Sequence, residues 1–204
     1  MKIAIVHDDF IQNGGAERLV LAMLEIYPEA DLYAIAASAA WQREIKALFN
    51  KKIRTTWIQN LPLRGRYFRL FYTLYPLAIE SLNFSHYDLV ISSSARYAHG
   101  LITHPETVHV AYVNSPARFL YQENMAPSNI FTRPILRWQR AWDSVASKRP
   151  DYIIANSKTS ARKIEKYWRR GVDEIIYPFV EFQNNSLENG EDIKAEGNYF
   201  LIIS

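Results

Sequence analysis

The chain of 204 residues contains no cysteine. That excludes disulfides and thiolate zinc sites and leaves nothing to suggest an oxidising compartment. No apolar run approaches the ~20 residues of a membrane-spanning helix, and the N-terminus lacks the apolar core of a signal peptide. Five histidines occur, none at H-x-x-x-H spacing near carboxylates, so no metal site is expected. A third glycine is missing after Gly14-Gly15, which sets aside the G-x-G-x-x-G pattern of dinucleotide-binding folds. No Gly-Lys-Ser or Gly-Lys-Thr follows either, so a P-loop is excluded. A cytoplasmic protein without metal or organic cofactor is the expectation.

What is present suits a globular protein. Apolar residues make up 49% of the chain, an ordinary share for one sizeable domain or one domain plus a piece of another. The net charge of +3 hides an asymmetry. Residues 51–75 carry Lys51, Lys52, Arg54, Arg64, Arg66 and Arg69 with no acid, and residues 137–170 are also strongly basic. Beyond residue 180 the sign reverses, with Glu181, Glu188, Glu191, Asp192 and Glu196 against Lys194.

Hydrophobic patterning predicts strands at 2–6, 31–35, 53–58, 88–92, 108–113, 151–155 and 174–177. Helices are predicted at 16–26, 39–49, 66–83, 134–148 and 158–169. Runs such as Leu89-Val90-Ile91 and Tyr152-Ile153-Ile154 are continuous apolar segments, as in parallel sheets covered on both faces. The fold class is therefore α/β, with a doubly wound, mostly parallel sheet. Ligands of such sheets bind beyond the carboxyl ends of the strands, so 7–15, 92–99, 113–119 and 156–158 form the expected functional rim. A polar linker is read over 181–198, and Tyr199-Phe200-Leu201-Ile202-Ile203 reads as the opening strand of a second domain or as an edge strand.

Gly14, Gly15 and Ala16 sit between the first strand and the first helix. The leading amides of a helix have no partner inside it, and its dipole favours an anion there, so a diphosphate is a natural guest. The plainer alternative is a tight strand-to-helix turn. Three more rim segments have a polar character: Ser92-Ser93-Ser94-Ala95-Arg96-Tyr97-Ala98-His99, Asn114-Ser115-Pro116-Ala117-Arg118-Phe119, and Asn156-Ser157-Lys158. Ser157 is placed to cap the following helix.

These segments, with Gly-Gly-Ala-Glu-Arg at 14–18 and the closing Ile-Tyr-Pro-Phe-Val at 176–180, resemble the N-terminal half of a family 4 glycosyltransferase of GT-B architecture. The likeness runs in order over about residues 1–180. It implies a Rossmann-like acceptor-binding domain of a retaining, metal-independent enzyme. Such an enzyme moves a sugar from a nucleotide-sugar donor to a glycan or lipid-linked acceptor in polysaccharide or lipopolysaccharide assembly. The donor-binding half, with its pair of glutamates, is not in this chain, so the 204 residues alone are expected to be inactive. A sugar- or lipid-binding module without a donor domain is the alternative.

Carried over by position, the resemblance puts Gly14, Gly15, Ala16 and His7 at the cleft beside the donor phosphates. Ser94, Tyr97, Asn114 and Arg118 would face the acceptor. Relatives carry histidine where this chain has Ala95 and Asn114, and His99, four residues past Ala95, is the candidate to take over the catalytic contact. His86, His104 and His109 are given no role.

The stretch from Leu61 to Pro76 interleaves arginines with aromatics. At helical spacing Phe68, Phe71, Tyr72 and Tyr75 share a face flanked by Arg66 and Arg69, an arrangement that, with Arg64, suits an anionic membrane surface. A core helix with solvated arginines is the alternative. No nucleic-acid motif accompanies the basic residues, so nucleic acid is not an expected partner. The localisation expected is cytoplasmic, peripheral on the inner face of the membrane.

Overall fold

The computed structural model describes residues 1–61, 68–121 and 132–179. All seven predicted strands form, in one parallel sheet: β1 (Ile3–Phe10), β2 (Asp31–Ala37), β3 (Arg54–Thr55), β4 (Leu89–Ser94), β5 (Val108–Val113), β6 (Tyr152–Ala155) and β7 (Glu174–Ile175). Their order is β3-β2-β1-β4-β5-β6-β7. The chain winds outward from β1 in one direction, then returns to β4 and winds outward in the other. The order reverses between β1 and β4, and such a reversal opens a crevice at the carboxyl ends of those two strands. Register there is fixed by pairs such as Val6 with Ser92 and His7 with Ser93.

The helices are α1 (Gly15–Ile26), α2 (Ala39–Phe49), α3 (Tyr75–Glu80), α4 (Arg118–Tyr121), α5 (Thr132–Ala146) and α6 (Lys158–Trp168). On one face, Val20 and Leu24 of α1 and Trp41 and Ile45 of α2 pack with Ile5, Leu32 and Ile91. On the other, Tyr75, Ala78 and Ile79 of α3 pack with Ala4, Val6 and Val90, joined by Leu120. Ile164 and Trp168 of α6 cover Ala111, Val113 and Ile153. The central strand β1 is buried from Ala4 to Phe10, which is why it reads as an unbroken apolar run before its polar end.

Local chemistry sets the element ends. The Ser38 hydroxyl accepts the Trp41 amide at the start of α2, and Asn50 closes that helix in the left-handed region at φ 53°. Ser157 caps α6 as expected, accepting the Ser160 amide at 3.2 Å. The predicted helix over 66–83 is different: a 3-10 segment, Phe68–Leu74, leads into the short α3. Pro76 lies in the first turn of α3, where its missing N–H costs nothing but where it marks a new helix start. The linker at 181–198 and the strand expected at 199–204 lie outside the described residues.

Candidate functional site

Rim loops from β1, β4 and β5 meet at the crevice. The centre of the arrangement is Asp8, a residue that the motifs leave unmarked. Its buried carboxylate accepts four successive backbone amides: Ala95 (2.6 Å) and Arg96 (2.8 Å) on Oδ2, Tyr97 (2.7 Å) and Ala98 (2.8 Å) on Oδ1. Burial pushes the Asp8 carboxyl up, but the Arg96 charge, His7 and these amides outweigh it and hold the group below its ordinary range. The loop after β4 thus wraps around an internal anion, and those amides are turned away from any external ligand.

Asp9 is buried beside it and bonds Arg96 Nη2 at 2.6 Å and the Tyr75 hydroxyl at 3.3 Å. Burial raises the Asp9 carboxyl, and the neighbouring Asp8 charge adds to that, against the opposing pull of Arg96. The Arg96 guanidinium lies 5.2 Å over the Tyr72 ring, which stacks on Phe119. Of the aromatic face expected at a membrane surface, Tyr75 is buried, whereas Phe71 and Tyr72 are half-buried and pack against the core. Arg64 and Arg66 lie outside the described residues, as do the side chains of Phe68 and Arg69.

His7 is also buried, so its expected cleft contact is corrected. Its Nδ1 donates to the Ser93 carbonyl at 3.1 Å, because a carbonyl can only accept, and this leaves Nε2 pointing at Glu17 Oε1, 3.8 Å away. The other Glu17 oxygen accepts the Gly14 amide at 3.0 Å. The first turn of α1 is therefore not bare: it carries its own carboxylate. Burial opposes ionisation of Glu17, but His7 and the helix-start amides prevail and hold the group below its usual range. Gly14 is extended (φ −144°), and a Cβ there would stand 3.1 Å from Glu17 Oε2. Gly15 is exposed, with open space where a Cβ would stand, and Ala16 beside it is half-buried.

Three further expectations are corrected by burial. Ser94 and Tyr97, expected at the acceptor, and His99, expected at the catalytic contact, are all enclosed. Ser94 Oγ meets His99 Nδ1 at 3.0 Å, and His99 Nε2 stands 3.2 Å from Asp143 Oδ1. The Asp143 Oδ2 atom accepts the Tyr121 hydroxyl (2.6 Å) and the Trp168 indole N–H (2.5 Å). The Tyr97 hydroxyl bonds Gln139 of α5 at 2.6 Å. Serine, histidine and aspartate in a row resemble a nucleophilic triad, but with no exposed atom to receive a substrate they act as a strut between β4, α5 and α6. The 3-10 turn Ala98–Gly100 rotates His99 inward, where its ring lies 4.4 Å from that of Trp168.

Asn114 and Arg118 remain at the surface of the rim. The Asn114 amide nitrogen reaches Ser93 Oγ at 3.4 Å, and its backbone bonds Ser94 O and Ser160 Oγ, tying β5 to β4 and α6. Arg118 is exposed on α4. A hollow of about 340 Å³ exists elsewhere, at the C-terminal end of α2, bordered by Arg43, Lys46, Lys51 and Lys52. It is far from the carboxyl rim, and its cations are in water.

The accessible rim set is thus the exposed Gly15 and Arg118 with the half-buried Ala16 and Asn114, stiffened from beneath by Asp8, Asp9, Arg96 and Glu17. The signal for the buried acids was available in the sequence: a strand too apolar to face water that nevertheless ends in Asp-Asp must find them partners inside.

No family model matches the chain, and no curated protein matches it. Solved structures do. The chain is similar to Anabaena Alr3699/HepE in complex with UDP, at 16% identity and a TM-score of 0.55, over 89% of this chain and 45% of that one. The same protein with UDP-glucose gives 16% identity and a TM-score of 0.51. With UDP and glucose it gives 18% identity and 0.51, at the same coverages. The shared feature is the fold, and the chain spans about half the length of that protein.

Proposed function

We propose that this chain is the acceptor-side half of a sugar transferase that draws on a nucleotide-sugar donor. The observation that carries the reading is the convergence of the β1, β4 and β5 loops at the switch point of a sheet shared with a protein solved with UDP and UDP-glucose. In this reading the helix-start amides of Gly15 and Ala16 sit beside the donor diphosphate, and Arg118 supplies positive charge as the leaving group departs. Asn114 orients the acceptor, a glycan or lipid-linked glycan of polysaccharide or lipopolysaccharide assembly. The finer assignment is to family 4 of GT-B architecture, with retention of configuration and no metal. The place of work is the cytoplasmic face of the membrane.

A second reading, a sugar- or lipid-binding module without transfer, is favoured by one observation. The histidine nearest the family's catalytic position, His99, is enclosed and Ala95 replaces the other. The complete gene product, incubated with labelled UDP-glucose and other nucleotide-sugars plus membrane lipid extract, separates the two. Transfer that falls at least tenfold in Arg118→Ala supports the first. Saturable acceptor binding with no transfer from any nucleotide-sugar establishes the second.

A further inference from the structure

Helix α5 carries a pattern that neither the fold nor the rim uses. One row along it, at i, i+4, i+7 and i+11, is Pro134, Trp138, Ala141 and Val145. All four are exposed, Trp138 by 44% and Val145 by 64%, and Ile135 beside them is 41% exposed. The row offset by one residue is Arg133, Arg137, Arg140 and Ser144, also exposed and followed by Lys148. The helix has a single acid, Asp143, and that residue is buried under Trp168. The outward surface of the helix is therefore an apolar strip with a row of cations along its edge, and among the described residues no carboxylate forms an ion pair with Arg133, Arg137 or Arg140.

A core explanation fails, because the core-facing row is the other one: Gln139, Asp143 and Ala146. A solvated helix needs no tryptophan and valine in register. Among the described residues no helix is long and apolar enough to cross a membrane, so the lipid contact open to this segment is one that lies along the surface.

We propose that α5 docks on an anionic lipid surface, with Trp138, Val145 and Ile135 at the headgroup–acyl boundary and Arg133 and Arg137 on lipid phosphates, while Arg140 donates through Nε to the Leu120 carbonyl. Charge complementarity selects this occupant. A row of arginines on a helix whose one acid is buried repels a basic partner, and aromatic and aliphatic side chains beside it fit the lipid interface zone. Helix α5 enters from the rim side of β5 and runs back toward the start of β6, so its first turns, with Arg133 and Arg137, lie at the same end of the molecule as Asn114 and Arg118. A lipid-linked acceptor held in that surface would reach the rim directly. The docking stands on α5 alone, while this last consequence rests on the transferase reading.

The test is sedimentation of the 204-residue chain with phosphatidylcholine vesicles, with and without phosphatidylglycerol. Binding is expected only with the anionic lipid, and it should fade with added salt. Arg133→Glu with Arg137→Glu should weaken it by about thirtyfold, taking about 1 kcal/mol per arginine, and Trp138→Ser should weaken it while leaving the circular dichroism unchanged. The proposal is overturned if the chain ignores anionic vesicles. It is equally overturned if the α5 variants bind as the parent does while Arg64→Glu with Arg66→Glu does not, which would move the contact to the other basic stretch. Nucleotide-sugar transfer to a water-soluble acceptor, measured on the same α5 variants of the complete gene product, is expected to be unchanged. Failure of that assay in the parent would sink the transferase reading and leave the lipid result untouched.

Discussion

His99 Nε2 and Asp143 Oδ1 stand 3.2 Å apart in the interior, without the geometry of a hydrogen bond. The pair joins the turn after β4 to helix α5, and the other Asp143 oxygen reaches on to Tyr121 of α4 and Trp168 of α6. One carboxylate thus gathers four pieces of the chain. Asp143→Ala strands the Tyr121 hydroxyl and the Trp168 indole N–H in an apolar setting and removes the carboxylate facing His99, and a loss of about 3–5 kcal/mol is expected by urea unfolding. Because the role is structural, the midpoint of unfolding should move even in the absence of any ligand.

Asp8→Asn is the corresponding test for the rim. An amide keeps one acceptor oxygen and turns its NH₂ toward amides that can only donate. A loss of about 2–4 kcal/mol is expected. Faster hydrogen exchange should be concentrated at Ala95, Arg96, Tyr97 and Ala98, and exchange spread evenly over the sheet would contradict the assignment.

The pH response has a predicted sign. Burial and nearby positive charge push His109 down to about 3. An unfolded His109 takes up a proton near its ordinary value of ~6.5. Between those values the unfolded chain binds more protons than the folded one, so stability falls as pH drops below about 6.5. His109 contributes about 2 kcal/mol of that loss by pH ~5. His109→Gln, which can keep a bond to Ser92, should flatten this part of the stability profile.

Gly100→Ala is expected to be poorly tolerated. An added Cβ would come within 2.2 Å of the Trp142 ring on α5 and 3.0 Å of Ala146 Cβ. Overpacking of this kind costs about 1–3 kcal/mol, readable as a lower thermal midpoint. Gly15→Ala, where nothing lies within 4 Å, should leave the midpoint nearly unchanged.

The sequence made the scaffold legible because parallel strands buried on both faces leave continuous apolar runs, and every run from Ile3 to Ile175 became a strand. Helix ends were readable where a capping residue stood, as at Ser157. The stretch 66–83 failed because periodicity cannot see a change of helix type at a proline. The site was only half legible. Motifs located the rim loops but not which way their side chains turn. Ser94, Tyr97 and His99 rotate inward because Asp8 has already curled their loop around itself, a contact spanning some ninety residues that no local pattern encodes. Gly14-Gly15 marks the helix start by itself, whereas the return of Glu17 onto it is legible only through the glutamate three residues past the cap position.

The outer strands of the described sheet, β3 and β7, are two residues long. Long free strand margins are templates on which other chains can zip, and stubs of this length offer almost no such track. Self-association at high concentration should therefore proceed through side-chain surfaces and respond to salt, with no growth of cross-strand signal in the infrared spectrum.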